Sequence, residues 1–98
     1  MWFGIGKLTE EIGELQQVIG KLIPFPTGDH PDGGPPLRLR LIDELADVRA
    51  ALTYFAGQNL TKEECSYLME RCGRKVLLFE RWGLSGIPSQ PVEKEKST

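Results

Sequence analysis

Between Pro24 and Pro36 the chain reads PFPTGDHPDGGPP, and eight of these thirteen residues are proline or glycine. Proline has no amide hydrogen to give a helix or a ladder, and glycine carries the largest backbone entropy, so this stretch continues neither element. It must be a loop, and it separates two runs of helical periodicity. Upstream, Leu8, Ile12, Leu15, Ile19 and Leu22 recur at helical spacing, which predicts a first helix from about Ile5 to Ile23 with Thr9, Glu10 and Glu11 in an early turn. Downstream, Leu37, Leu41, Leu45, Val48, Leu52 and Phe55 predict a second helix lasting to about Gly57, followed by a turn over Gln58 to Leu60.

Thr61, Lys62, Glu63 and Glu64 read as a capping box, in which hydroxyl and carboxylate each satisfy an orphan backbone donor. A third helix is expected to start there, to carry Leu68, Cys72, Lys75, Val76 and Phe79, and to stop near Trp82 and Gly83. From 84 to 98 the chain turns to Ser, Pro and alternating charge, and a disordered tail is expected. No segment alternates with the period of a strand. The expected fold is all-α: a single domain over 1–83 with a loop at 24–36, forming an antiparallel bundle of three to four helices completed by oligomerisation.

Length and charge narrow the partners. A chain of 98 residues sits near the lower end of what buries an adequate core alone, so help from a second subunit is expected. A net charge of -2 with interspersed signs offers no broad positive face for a nucleic-acid backbone. No apolar run approaches the roughly 20 residues that span a bilayer, and Met1 to Lys7 lacks the pattern of a signal peptide. A cytoplasmic protein without membrane or nucleic-acid partners is expected. Cys65 and Cys72 form no CxxC and have no paired histidine, so they read as reduced thiols.

The feature that points to chemistry is a repeated carboxylate pair, EIGEL at Glu11 to Leu15 and DELADV at Asp43 to Val48. At about 100° per residue, Glu11 lies roughly 60° to one side of its apolar stripe and Glu14 roughly 120° to the same side. Glu44 and Asp47 take about the same two offsets in the same sense on the second helix. In an antiparallel hairpin the local dyad keeps such offsets on one side, so four carboxylates converge. Like charges at close range raise one another's pKa, and a cation supplies the compensation. An all-oxygen set suits Mg²⁺ or Mn²⁺, and Mg²⁺ usually shares its remaining positions between waters and substrate phosphates. A di-iron bundle would want Glu-x-x-His, whereas His30 is the only histidine and falls in the loop. The bland alternative is a solvated acidic face on a non-catalytic helical interaction module.

ExxE followed on the next long helix by ExxD, here Glu11, Glu14, Glu44 and Asp47, resembles the MazG-like all-α nucleoside triphosphate pyrophosphohydrolases, a superfamily that includes dimeric dUTPases, dCTP pyrophosphatases and phosphoribosyl-ATP pyrophosphohydrolases. The resemblance covers Lys7 to about Gly83. It implies a Mg²⁺-dependent enzyme that hydrolyses a nucleoside triphosphate to the monophosphate and pyrophosphate, with these four residues as metal ligands. It also implies a homodimer or higher oligomer. Glu11 is the foremost candidate for the general base, with Glu10 second. In related enzymes basic residues of later helices contact phosphates, which makes Lys75 and Arg81 the candidate substrate-binding residues. One departure is the 29 residues between Glu14 and Glu44, longer than expected of the family, with the excess in the loop. Asp29, His30 and Asp32 lie there, and turn formation accounts for them more simply than a site does.

Overall fold

A computed structural model describes residues 1–29 and 33–86. It contains α1 (Ile5–Leu22), α2 (Leu37–Asn59) and α3 (Lys62–Gly86), and no strand among the described residues, so the fold is all-α as the periodicity predicts. None of these helices is long and apolar enough to cross a membrane. The expected span 1–83 contains two compact units, one ending at Thr61 and the other starting at Lys62.

The first unit is an antiparallel hairpin of α1 and α2. At its open end the Asn59 side chain clamps Phe3, two residues before α1: Phe3 N–H donates to Asn59 Oδ1 (2.9 Å) and Asn59 Nδ2 donates to Phe3 O (2.7 Å). The same amide donates to Phe55 O (2.8 Å), and the Trp2 and Phe55 rings stack with centroids 6.1 Å apart. At the loop end Phe25 N–H donates to Lys21 O, Gly28 N–H to Phe25 O, and Arg38 N–H to Gly28 O, so the chain folds back before α2 begins. Gly28 is buried there with φ +85°, a left-handed conformation that other residues adopt only with strain. His30 and Asp32 fall outside the described residues. Asp29 is exposed, and its backbone N–H donates to Thr27 Oγ1 at 3.4 Å.

The seam between α1 and α2 differs from the stripe that the apolar residues alone suggest. Residues withdrawn from solvent step through Leu8, Glu11, Leu15, Val18 and Leu22 on α1, and through Leu37, Leu41, Glu44, Val48, Ala51 and Phe55 on α2. Steps of three and four are the spacing of two helices packed along their length. Among the described residues, Val18, Leu37 and Ala51 are the buried apolar ones. Ile12 and Ile19 (both 42% exposed) and Leu45 and Leu52 (both 50%) are rotated out on the other side. The expectation that these four belong to the core stripe is thus corrected. The helices turn by roughly 40° relative to it, and Glu11 and Glu44 come to within about 20° of the seam centre.

Element ends differ by small amounts. The acidic residues begin after the first turn of α1, which is preceded by Gly4 as its N-cap with φ +84°. α2 runs to Asn59 and α3 to Gly86, beyond the expected stops at Gly57 and Gly83, because neither glycine adopts the left-handed conformation that ends a helix. The segment 87–98, the rest of the expected tail, lies outside the described residues. Within α3, Leu68, Cys72, Val76 and Phe79 share one face, and the Phe79 and Trp82 rings lie 6.0 Å apart. Neither Cys65 nor Cys72 is in a disulfide.

Candidate metal centre

The mid-point of the hairpin brings together carboxylates from both helices. Glu11 lies one turn after Lys7 on α1, while Glu44 and Asp47 are one turn apart on α2. Because the helices run antiparallel with matching offsets, oxygens of Glu11, Glu44 and Asp47 all lie within 4.8 Å of one another. Glu14 is half-buried and acts electrostatically on both Glu11 and Glu44. The four residues singled out by the sequence therefore neighbour one another, with three of them forming the tight group.

The seam position of Glu11 and Glu44 has an electrostatic cost. The Glu11 side chain is only 14% exposed, and Glu11 Oε1 and Glu44 Oε1 are buried without a hydrogen-bond partner. Burial pushes the Glu11 carboxyl above its ordinary range, Glu14 and Asp47 add to the rise, and Lys7 opposes it. Burial likewise raises Glu44, with Glu14, Asp47 and Asp43 adding and Arg40 opposing.

Lys7 is a residue that pattern analysis passed over, although its place four residues before Glu11 was a legible signal. Its Nζ lies 2.9 Å from Glu10 Oε1 and 3.8 Å from Glu11 Oε2, and the hydrogen bond to Glu10 is the main reason its pKa is raised. Glu10, the second candidate base, is exposed and engaged with this lysine.

The donor set fits a hard divalent cation. Carboxylate oxygens on one Mg²⁺, each about 2.1 Å from it, are about 3 to 4 Å apart, a spacing that small side-chain rotations give from the observed arrangement. Two buried, unpartnered oxygens are acceptors that a cation would satisfy.

Beside the acids, on the side of the hairpin away from Ile12 and Leu45, an open cleft of about 320 Å³ runs from Glu11 and Asp47 to Tyr54. Lys7 lines one wall, and the small residues Gly4, Ala50 and Ala51 leave its floor free. A Cβ at Gly4 would stand 3.1 Å from Tyr54 Cδ2 and Cε2, so the glycine lets the ring sit against the start of α1. Nothing local marks Tyr54 in the sequence, since its neighbour across the cleft is fifty positions away.

Lys75 and Arg81, the two substrate-binding candidates, lie on α3, outside the hairpin that carries the acids. Lys75 Nζ stands 5.7 Å from the centroid of the Phe79 ring, a cation–π contact. Arg81 is exposed. Compared with family models, curated proteins and solved structures, the chain matches none.

Proposed function

We propose that the protein is a Mg²⁺-dependent nucleoside triphosphate pyrophosphohydrolase, converting an NTP or dNTP to the monophosphate and pyrophosphate. The observation that carries this reading is the pair of seam glutamates, each with a buried oxygen that has no partner. Packing two helices calls for apolar residues at such positions, and acids with an unsatisfied buried oxygen there weaken the hairpin unless a cation joins them. A solvated acidic face on an interaction module has no need to bury its carboxylates. The ExxE and ExxD spacing, in which the chain resembles MazG-like enzymes, agrees with the same reading, and an all-oxygen donor set suits Mg²⁺ or Mn²⁺.

Glu11, Glu14, Glu44 and Asp47 would hold the ion. Bound there, it would offset triphosphate charge and lower the pKa of an attacking water. Glu11, which lines the cleft beside the ion's place, would accept the water's proton in this scheme. Lys7 presents positive charge at the same edge of the cleft. On this reading the enzyme works in the cytoplasm as a homodimer. The support for self-association is the exposed apolar side of the hairpin, where Ile12, Ile19, Leu45 and Leu52 lie opposite the acids.

The test is pyrophosphate release from a panel of ordinary and modified nucleoside triphosphates, with Mg²⁺ and again with chelator. Chelator-sensitive release with monophosphate as the second product is the expected result. Asp47→Asn should lower turnover by more than about a hundredfold, since even residues behind metal ligands cost 10 to 100-fold, while its circular dichroism stays helical. Absence of release across the panel, with no thermal shift on adding Mg²⁺, would sink the proposal in favour of the interaction module.

A further inference from the structure

We infer that the cleft between the carboxylates and Tyr54 is the nucleoside site, and that it recognises a base by its face instead of its edge. The inference rests on the pyrophosphohydrolase reading and adds to it a position for sugar and base and a breadth of specificity.

Three observations lead there. First, Asp47 and Tyr54 are seven residues apart on α2, which places the ring about 10 Å along the helix from the acids. That is the order of distance separating a phosphate from the far side of the base in a nucleotide. Second, residues 50 and 51 between them are both alanine, and Gly4 faces them, so the space stays open over that length. Larger side chains at these positions would fill it.

Third, the Tyr54 ring lies close against Gly4, lines the cleft, and belongs to a residue more than half exposed. An accessible aromatic ring beside an open slot is a stacking platform, and every base has a π-face to offer it. Edge recognition needs fixed amides or backbone groups aimed at donors and acceptors. The cleft lining has instead a lysine, two acids, small residues and one phenol. Lys7, beside Glu11, is the side chain placed to meet phosphate oxygens. A site so built accepts purine and pyrimidine nucleotides alike.

Calorimetric titration of the full chain in Mg²⁺ tests this, using α,β-imido analogues of the four deoxynucleoside triphosphates and inorganic triphosphate as a probe without sugar or base. The four analogues should bind within about tenfold of one another, since stacking tolerates any base. Tyr54→Ala should weaken all four by roughly tenfold or more, Tyr54→Phe should retain binding, and neither should change the affinity for inorganic triphosphate. Ala50→Leu, which removes no packing contact and suits a helix, should weaken the analogues as Tyr54→Ala does even if the latter unfolds. Unchanged nucleotide affinity in Ala50→Leu and in folded Tyr54→Ala would overturn the inference, as would a preference above about a hundredfold for one base. Failure of the parent reading looks different: natural triphosphates bind in the cleft but release no pyrophosphate.

Discussion

Glu44 shows what a single residue contributes at this seam. Its carboxyl and that of Glu11 are raised above the ordinary value of 4.5, each mainly by burial, so the folded state holds their protons more tightly than the unfolded chain does. The linkage has a definite sign: their favourable contribution is complete below the ordinary value and is lost as pH rises through the raised folded values. Metal-free protein should therefore lose thermal stability as pH is raised above 4.5, and Mg²⁺ should restore it at neutral pH. Glu44→Gln keeps the shape without the charge. Thermal melts across this range should show a higher Tm than wild type at pH 7 without metal, a flatter pH profile, and a smaller gain on adding Mg²⁺. A Tm at pH 7 below that of wild type would count against an uncompensated charge at this position. The acids themselves were readable from EIGEL and DELADV, because spacing alone puts them on one side of an antiparallel pair. Their burial was not, because an apolar stripe drawn through Ile12, Ile19, Leu45 and Leu52 leaves an acid no place in the seam. Only the alternation of three and four through Leu8, Glu11, Leu15 and Val18 reveals it, and that requires admitting a glutamate among the core positions.

At the scale of the elements, α1 and α2 depend on how their ends are tied. Gly4 opens α1 in a left-handed conformation with the Tyr54 ring against it, and Asn59 closes α2 on Phe3. Gly4→Ala meets both the conformational strain and the 3.1 Å approach to Tyr54, and should cost about 1 to 2 kcal/mol of unfolding free energy, read from urea denaturation. A neutral outcome would mean that the start of α1 can change its path without loss. Helix positions were legible because hydrophobic period and proline breaks act locally, and the ends at Leu22 and Leu37 fall where Pro24 and the loop predict. The overruns to Asn59 and Gly86 were not, since glycine ends a helix only where the chain has reason to turn left-handed. The clamp from Asn59 to Phe3 joins residues 56 positions apart and leaves no local trace in the sequence.

For the whole molecule, the hairpin has two unlike sides, acids and an open cleft on one and exposed isoleucines and leucines on the other. The proposed homodimer uses the second side. Leu45→Glu with Leu52→Glu should convert a dimer to a monomer in light scattering after size exclusion, with the α-helical signal kept. A wild-type chain that runs as a monomer at micromolar concentration would remove this part of the proposal. If a cation joins the two buried oxygens, as proposed, it also bears on how long the polypeptide survives. Local opening exposes backbone to proteases in proportion to how weakly a segment is held, and a ligand that binds only the closed form suppresses that opening. On the proposed reading, copies that have not captured their ion would be degraded first. The amount of protein in a cell would then follow the free magnesium concentration with no change in synthesis.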